Sequence, residues 1–256
     1  RRRHFDKGKG RVMEVSGKSA DLRKAMKQPR TGQYKDTTFE GLVGEVAGRH
    51  GLGAKVSASL AGLKFDWEPQ TEESDMHVLT RLARDHDAVC KINGGQVMMI
   101  ARDDLDAEPI ALLPTDFIEC HVEDDDRAQH SKTTAHHHNQ GESRRDPVSV
   151  DNDEGAGDGP EFQLRHTYPN ADRAKAAAGG RMARLQRDEK RLHGKLTGNT
   201  AIMAGLPVSI AWGVDLYDGD YTIKKAVHHM VKGGGYTTEI DTGKGKGGKK
   251  GGKKGR

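Results

Sequence analysis

Cysteine, which would define a disulfide framework or a zinc-thiolate site, is scarce in this sequence. Among 256 residues there are two cysteines, Cys90 and Cys120, and their spacing does not resemble a zinc motif. A count this low is typical of a cytoplasmic product with free thiols, although the two could pair. Aromatic residues make up 5% and apolar residues 33% of the chain, which excludes a large aromatic core.

Long apolar runs are also missing. No stretch approaches the roughly 20 residues that a membrane-spanning helix needs. The basic start is not followed by the apolar segment of a signal peptide. We therefore predict no membrane segment. Because the first residue is Arg1 and not methionine, we expect a processed chain or a segment of a longer protein.

Positive charge is concentrated at the two ends of the chain. The net charge is +4, but residues 243–256 carry seven positive charges and no negative ones. Residues 1–11 carry six positive charges and one negative, which leaves −8 for residues 12–242. A domain made for nucleic acid would carry basic residues on its folded face. Gly243 to Arg256 is predicted to be a disordered Gly/Lys tail, either solvated or in salt-sensitive contact with nucleic acid.

Two amphipathic helices are predicted in the first half. Thr37 to Glu40 opens the first, whose apolar residues from Phe39 to Val46 recur at helical spacing, and Gly51 ends it. The second lies within Gln70 to His86, with Thr71 or Ser74 as the N-cap. The second helix is interpreted as a packing element without chemistry of its own.

A β-hairpin follows the second helix. Val89 to Ile92 and Val97 to Ile100 are apolar runs, and Asn93-Gly94-Gly95 forms the turn between them. Asn-Gly between two such runs is a strong hairpin signal. The sequence therefore predicts a helix-plus-hairpin unit.

The second half is predicted to combine one long helix with strands. Asn170 caps a helix over Ala171 to Leu192, which Gly179-Gly180 could kink. The polar run from Gly141 to Pro160 is predicted to be a mobile loop because it lacks apolar residues to bury. Short strands are predicted at Val12–Ser16, Ile110–Leu113, Phe117–Val122, Ser131–His138, Arg191–Thr197, Leu206–Trp212, Tyr221–His229 and Tyr236–Asp241.

The order of these elements indicates an α+β fold with an antiparallel, barrel-like component. We expect five segments. These are a basic N-terminal segment (1–11), an α+β domain (12–122), a polar strand with an acidic loop (123–165), a helix with an antiparallel barrel-like domain (166–242), and the tail (243–256).

The histidines are the first candidates for a metal site. In a strand His136 and His138 share one face, and His130 or His166 could supply a third ligand. No spacing requires a metal, so we favour polar residues on a strand beside an open loop and predict no metal site.

Other candidate sites carry weaker signals. Asp151 to Gly155 has the composition of a calcium loop, but its glycine is fifth, and Phe162 stands where the EF-hand needs glutamate. The carboxylates of Glu123 to Asp126 have no apolar pocket beside them to raise a pKa. No nucleophile-elbow, zincin or P-loop motif occurs. We predict a non-enzymatic protein with no catalytic, metal-binding or cofactor-binding residues and no cofactor.

Several segments resemble one family. The run QTEESDMHVLTRLARDHDAVCKINGGQVMMIAR is similar to the late control gene D protein family of contractile-tailed phages, whose members are baseplate hub proteins. VSGKSADLRKAMKQPRTGQYKDTTFEGLVGEVAGRHGL resembles the preceding family segment. LRHTYPNADRAKAAAGGRMARLQRDEKRLHGKLTGNTAIMAGLPVSIAWG and DGDYTIKKAVHHMVKGGGYTTEID resemble its C-terminal portion. The order is collinear over most of residues 12–242.

The resemblance implies a fold and a role. It implies a hub-type fold like the N-terminal part of type VI secretion spike proteins, with a barrel-like tube domain near residues 191–241. It also implies a homotrimer that joins the tail tube to the central spike, contacts other baseplate proteins, is assembled in the host cytoplasm and is carried in the virion.

Two departures from the family leave alternatives open. The family usually has further residues before this start, so either the chain is a fragment or a partner supplies the missing strands. The Gly/Lys tail is not a family feature. One alternative function is a nucleic-acid-binding or regulatory protein acting through its basic ends, and a less favoured one is a tail-associated cell-wall hydrolase.

Overall fold

The computed structural model describes residues 2–6, 10–14, 25–105, 107–124, 130–139, 141–153, 159–231 and 233–245. The chain forms two compact units. The first unit contains Arg1–Val56, Leu60–Thr80 and Cys90–Met99, and the second contains Ser57–Ser59, Arg81–Val89 and Ile100–Arg256. These units divide the chain differently from the expected segments, because residues of the 12–122 segment belong to both.

The first part of the chain alternates strands with short helices. Its elements are β1 (Arg2–Asp6), β2 (Gly10–Glu14), β3 (Pro29–Thr38), α1 (Phe39–Arg49), β4 (Gly53–Val56), α2 (Ala58–Ala61), β5 (Lys64–Ser74), α3 (Asp75–Asp85), β6 (Ala88–Asn93) and β7 (Gln96–Ala101). Strands β1 and β2 pair with each other, β3 pairs with β5, and β4, β7 and β6 form a three-stranded sheet in that order.

Helix α1 follows the predicted pattern. The Thr38 hydroxyl accepts a hydrogen bond from the Gly41 N–H at 3.1 Å and caps the first turn. The predicted apolar face is buried, with Phe39, Leu42, Val43 and Val46 fully inaccessible. The helix ends at Arg49, and Gly51 follows with a positive φ of 66°.

Helix α3 begins later than the predicted segment. Gln70 to Ser74 belongs to β5, which pairs with β3, and the helix begins at Asp75. Ser74 is the cap, since its hydroxyl accepts from the His77 N–H at 3.2 Å. The alternative cap, Thr71, lies inside the strand and is wrong. Glu72 and Glu73, whose negative charges would favour the first turn of a helix, lie in β5 instead. Strand pairing with β3 outweighs this local preference.

The predicted hairpin is confirmed as β6 and β7. Gly94 and Gly95 have φ values of 57° and 74°. Two successive positive φ values define the tight turn that favours Asn-Gly and Gly-Gly. Val97 and Met99 alternate into the buried side of β7.

The remaining elements belong mainly to the second unit. They are β8 (Ile110–Ala111), β9 (Phe117–Asp124), β10 (Lys132–Asn139), β11 (Arg144–Asp151), β12 (Glu161–Tyr168), α4 (Ala171–Glu189), β13 (Lys190–Thr197), β14 (Pro207–Ile210), β15 (Gly219–Val231) and β16 (Gly235–Lys244). Single 3-10 turns precede β8 and β9. The predicted strands near residues 110, 117, 131, 191, 206, 221 and 236 are confirmed.

A six-stranded sheet dominates the second unit. Its order is β8-β14-β15-β16-β13-β9, with every pair antiparallel except β8 and β14. Its apolar face is buried around Leu192, Leu196, Val208, Tyr221 and Ile223. Strand β9 pairs with β13, which lies about 70 residues later in the chain. The α+β fold class with a predominantly antiparallel sheet is confirmed.

The predicted mobile loop over 141–160 is wrong for residues 144–151. Residues 144–151 form β11, which pairs antiparallel with β10 along eight positions, and β12 pairs parallel with β10. Val148 and Val150 alternate along β11 and pack against the cluster formed by Ala135, Tyr168 and alanines of α4. Two valines at alternate positions supply enough apolar surface when a helix covers them.

Helix α4 crosses this three-stranded sheet. The Asn170 side chain accepts from the Arg173 N–H at 3.0 Å, which confirms the predicted cap. The helix is continuous through Gly179 and Gly180. It ends at Glu189, so the predicted residues up to Leu192 lie in β13.

The C-terminal strand extends into the predicted tail. Gly243 and Lys244 complete β16, where they pair with Thr222 and Tyr221. The Gly245 N–H donates to the Asp220 carbonyl at 2.6 Å. Residues 246–256 lie outside the described residues, as do residues 15 and 16 of the first predicted strand and residues 154–158 of the acidic loop.

Candidate assembly surface

One face of the six-stranded sheet carries charged and imidazole side chains. Strands β9, β13, β16 and β15 form this face, which contains a shallow groove of about 330 Å³. The strand registers arrange these side chains in rows. One row is His121, His193, Asp241 and Lys225, and the next is Glu119, Lys195, Glu239 and Val227.

Histidine and carboxylate side chains on this face lie close to each other. His121 Nε2 lies 2.9 Å from Glu119 Oε1, and His229 Nε2 lies 3.2 Å from Glu239 Oε2. Because these pairs are exposed, each contributes little to stability. The face is polar and its charges are largely balanced within the sheet.

Strand β9 forms one edge of this sheet. Seven of its eight residues pair with β13, and in the described part of the chain no strand pairs with its other side. Glu119, Glu123 and Asp124 give the edge an acidic character, and Ile118 is 60% exposed. A long edge strand offers unpaired N–H and C=O groups to another chain, and strand addition is a common mode of recognition.

Exposed apolar side chains lie at the end of the sheet where β9 begins. The β15–β16 hairpin tip carries Met230, which is 81% exposed, and Val231. Met203 is also exposed. It lies near the β15–β16 hairpin, because the carbonyl of the preceding residue, Ile202, is 3.1 Å from Nε2 of His228 on β15. Several exposed large apolar residues at one end of a unit indicate a contact surface.

The first unit contains a buried polar network around Asp75. This carboxylate is fully inaccessible. Its Oδ1 accepts from Arg49 Nη1 at 3.1 Å and from Gln70 Nε2 at 2.9 Å, and its Oδ2 lies 2.8 Å from His50 Nε2. The Tyr34 hydroxyl donates to Gln70 Oε1 at 3.0 Å and accepts from Arg49 Nη1 at 3.0 Å. These contacts tie α1, β3 and β5 to the start of α3.

The network keeps Asp75 ionised. Burial alone raises the pKa of the Asp75 carboxyl, but hydrogen bonds from Gln70 and His50 and the charges of Arg49 and Arg30 together hold this pKa below its usual range. From sequence Asp75 could be interpreted only as a helix-dipole residue. Nothing in the pattern identified Arg49 or His50 as its partners.

A part-buried ion pair lies in the second unit. Arg187 of α4 donates through both Nη atoms to the Asp87 carboxylate, at 2.8 and 2.5 Å. Asp87 follows α3 and has a positive φ of 46°. His86 beside it is half-buried. The pKa of the His86 imidazole is lowered to about 4, mainly by desolvation and also by the positive charge of Arg173.

The histidines considered as metal ligands are dispersed over the small sheet. His136 is half-buried and His138 exposed on β10. The His130 ring contacts Phe162, and the His166 ring contacts Tyr168 edge-on at 4.8 Å between centroids. Within the described residues, no group of three His, Cys, Asp or Glu side chains is arranged to hold a metal ion.

The two cysteines and the acidic residues of β9 were the other candidates from sequence. Cys90 and Cys120 are both free thiols, and burial raises the pKa of each. Glu123 and Asp124 are exposed on β9. No helix in the described part of the chain is long and apolar enough to cross a bilayer.

Comparison with protein-family models places this fold in a known group. The model of the phage tail baseplate hub (GPD) family matches residues 10–234. The chain belongs to the phage tail baseplate hub family. The match includes both helix-plus-hairpin and sheet segments, so the resemblance stated from the quoted segments is confirmed.

Two curated relatives of this hub-family chain come from coliphages. The probable baseplate hub protein of Escherichia phage P2 is 35% identical over 89 residues, and that of Escherichia phage 186 is 32% identical over 89 residues. In each case the alignment covers 35% of this chain and 23% of the relative. The chain therefore matches less than a quarter of the length of these relatives.

Solved structures share the fold of the hub-family chain. The tail protein from Neisseria meningitidis MC58 has a TM-score of 0.68 at 15% identity, covering 95% of this chain and 77% of that one. The 43 kDa tail protein of prophage MuSo2 from Shewanella oneidensis has a TM-score of 0.63 at 15% identity, covering 83% and 66%. At such identities the likeness establishes the fold alone.

Proposed function

We propose that the chain is a structural part of the baseplate hub of a contractile phage tail or a phage-like particle. In this role it joins the tail tube to the central spike, and it is carried in the virion after assembly in the host cytoplasm. The observation that carries the proposal is the family match over residues 10–234. Structural similarity to phage tail proteins over most of the chain supports it.

The surfaces of the second unit suit this role. A hub subunit must present persistent contact surfaces to copies of itself and to other baseplate proteins. The open edge of β9 and the apolar side chains near Met230 and Ile118 provide such surfaces. We propose a homotrimer whose partners are the spike protein and the tail tube and baseplate proteins.

The test is the association state of the full-length protein. Multi-angle light scattering should give the mass of a trimer, for the protein alone or after mixing with its spike protein. A protein that stays monomeric under both conditions would contradict the hub proposal.

The proposed role requires no catalysis. The second test is therefore a zymogram of the purified protein on bacterial cell-wall material. We expect no clearing at concentrations where a lysozyme control clears the gel. Clearing that co-purifies with the protein would instead support the alternative of a tail-associated hydrolase.

A further inference from the structure

Five arginines come together where the end of α3 lies against α4. Three are on successive turns of α4, one is in the last turn of α3, and one begins the 3-10 turn after β7; they are Arg181, Arg184, Arg187, Arg84 and Arg102. Arg184 Nη2 donates to the Arg84 carbonyl at 3.1 Å. Asp87 lies 2.8 Å from Arg187 Nη1 and 3.7 Å from Arg102 Nε. All five belong to the second unit, and together they form the arginine cluster.

The positive charge of the arginine cluster exceeds what the described residues neutralise. Arg187 forms a close ion pair with Asp87, and Arg102 reaches the same carboxylate only at 3.7 Å. The other three arginines form no ion pair with a carboxylate among the residues that the structure describes. Desolvation, and after it the charges of three neighbouring arginines, lowers the pKa of the Arg184 guanidinium. The guanidinium groups therefore repel one another in a partly buried place, and added negative charge would relieve this repulsion.

Two members of the arginine cluster have contacts that explain them within the fold. Arg184 donates to the last turn of α3, where positive charge is favoured by the helix dipole. The guanidinium of Arg181 lies over the Phe162 ring, 4.1 Å from its centre. By contrast, Arg84 is exposed, and the terminal nitrogens of Arg102 have no hydrogen-bond partner in the described part of the chain. These last two guanidinium groups are the ones available to a ligand.

A cavity of about 200 Å³ adjoins the arginine cluster. Arg102 and Arg187 line one part of it, and its other walls include Leu105, Pro109 and Tyr221. Apolar walls keep water away from a guanidinium group and so strengthen its interaction with an anion. Arginine binds a carboxylate through two parallel hydrogen bonds, and Arg187 already holds one carboxylate in this way. The cavity therefore suits the carboxylate of an incoming acidic side chain.

We propose that the arginine cluster binds an acidic segment of a partner protein in the baseplate, whose carboxylates contact Arg84 and Arg102. This inference rests on the proposed hub function, because it gives the chemistry of one contact that the function requires. Nucleic acid is the less suitable ligand, since residues 12–242 carry a net charge of −8. That charge repels an extended polyphosphate, whereas a short acidic segment can contact the cluster alone.

The first test measures the binding of a fluorescein-labelled hexaglutamate peptide to the full chain by fluorescence anisotropy at low salt. Arg84→Gln with Arg102→Gln should weaken binding at least about tenfold, because charge-assisted hydrogen bonds are lost. The matched control is Arg145→Gln with Arg165→Gln, which removes two exposed arginines from β11 and β12 and should weaken binding less than about twofold. The basic ends of the chain are the same in all three proteins, so their contribution cancels. Equal weakening in the two variants would overturn the site.

The second test separates carboxylate from phosphate ligands. A labelled single-stranded oligonucleotide with the same number of negative charges replaces the peptide. The Arg84→Gln, Arg102→Gln variant should bind it as tightly as the wild type, because the basic ends remain. An equal loss of affinity for peptide and oligonucleotide would overturn the assignment to an acidic protein segment and indicate a nucleic-acid site instead.

A charge-conserving variant guards against a loss of binding through unfolding. Arg84→Lys with Arg102→Lys keeps both charges but not the planar fork that holds a carboxylate, so it should bind hexaglutamate with intermediate affinity. Thermal unfolding should show that both double variants are at least as stable as the wild type up to 37 °C, a temperature about that of a bacterial host. Where the glutamine variant does not fold, peptide binding by the lysine variant as tight as that of the wild type overturns the site.

The outcomes distinguish this inference from the proposed function. If the wild type forms a trimer, alone or with its spike protein, but its peptide binding does not depend on Arg84 and Arg102, the acidic-segment site is overturned and the hub function stands. If peptide binding depends on both arginines but the protein stays monomeric with and without the spike protein, the carboxylate site stands and the hub function is overturned.

Discussion

At the scale of single residues, Asp75 organises the first unit. Its carboxylate accepts hydrogen bonds from the side chains of Arg49 and Gln70 and contacts His50. Arg49 lies 26 positions and His50 lies 25 positions before Asp75 in sequence. A buried carboxylate without such partners would carry a large desolvation cost. The network therefore fixes where α3 begins relative to β5.

Asp75→Ala should destabilise the first unit by about 3 kcal/mol, because it leaves Arg49 and His50 without their buried acceptor. Urea unfolding can be followed by Trp67 fluorescence in a Trp212→Phe background, since Trp67 belongs to the first unit. Asp66→Ala is the control at an exposed position of β5, and it should change the free energy of unfolding by less than about 0.5 kcal/mol. Equal effects of the two variants would contradict the assigned role of the network.

His86 makes stability depend on pH. Its pKa is lowered to about 4 in the folded chain, chiefly by desolvation, whereas an unfolded histidine titrates near 6.5. Between these values the unfolded chain binds more protons. The stabilising contribution is therefore complete above about pH 6.5 and is lost as the pH falls towards 4.

Lowering the pH from 7 to 5 should reduce the free energy of unfolding of the wild type by about 1 to 2 kcal/mol more than that of His86→Gln. Urea titrations at both pH values measure this difference. His121→Gln, at an exposed site, should behave like the wild type. A pH dependence identical in wild type and His86→Gln would show that His86 is not held neutral by the fold.

At the scale of elements, helix α4 depends on one of its two adjacent glycines. A Cβ on Gly180 would lie 2.6 Å from the Arg84 carbonyl oxygen and 2.8 Å from that of Asp85. A Cβ on Gly179 would meet nothing within 4 Å. From sequence the pair suggested a kink. The structure instead shows a close approach between α4 and the backbone at the end of α3.

Gly180→Ala should destabilise the second unit by about 1 to 3 kcal/mol, because backbone must shift to admit the methyl group. Gly179→Ala should stabilise it by up to about 1 kcal/mol through helix propensity. Thermal unfolding followed by Trp212 fluorescence in a Trp67→Phe background compares the two variants. Stabilisation by both would mean that α4 and the end of α3 do not approach this closely.

Local signals account for the elements that sequence identified. The Thr38 and Asn170 caps, the apolar stripe of α1 and the Asn-Gly turn depend on residues within a few positions of one another. Strand β11 depends on a distant element, helix α4, because Val148 and Val150 are covered by alanines of that helix. Composition alone made that segment look like a loop.

At the scale of the whole molecule, the C-terminal basic segment has two parts. Gly243 and Lys244 finish β16, and Lys244 Nζ lies 2.9 Å from Glu189 Oε2. The remaining six positive charges follow after Gly245. The first part belongs to the fold, and the second is the candidate for non-specific contact with nucleic acid.

A chain ending at Thr242 should be about 1 to 2 kcal/mol less stable than one ending at Gly245, since it loses two backbone pairings and the Glu189 ion pair. Thermal unfolding measures this. Both truncations should lose DNA binding in a low-salt mobility-shift assay, where the full chain should bind in a salt-dependent manner. Undiminished binding by the chain ending at Gly245 would place the nucleic-acid contact outside residues 246–256.

The sequence by itself determined the helices α1 and α4, the β6–β7 hairpin and most strands of the large sheet, because caps, turns and periodicity act over a few residues. The tertiary structure decided that β9 lies beside β13, that β3 pairs with β5, and that Asp75 meets Arg49 and His50. Strand partners and buried ion pairs join distant positions, and the backbone groups that pair strands are the same for every residue type. The open edge of β9 was therefore visible only once the sheet was assembled.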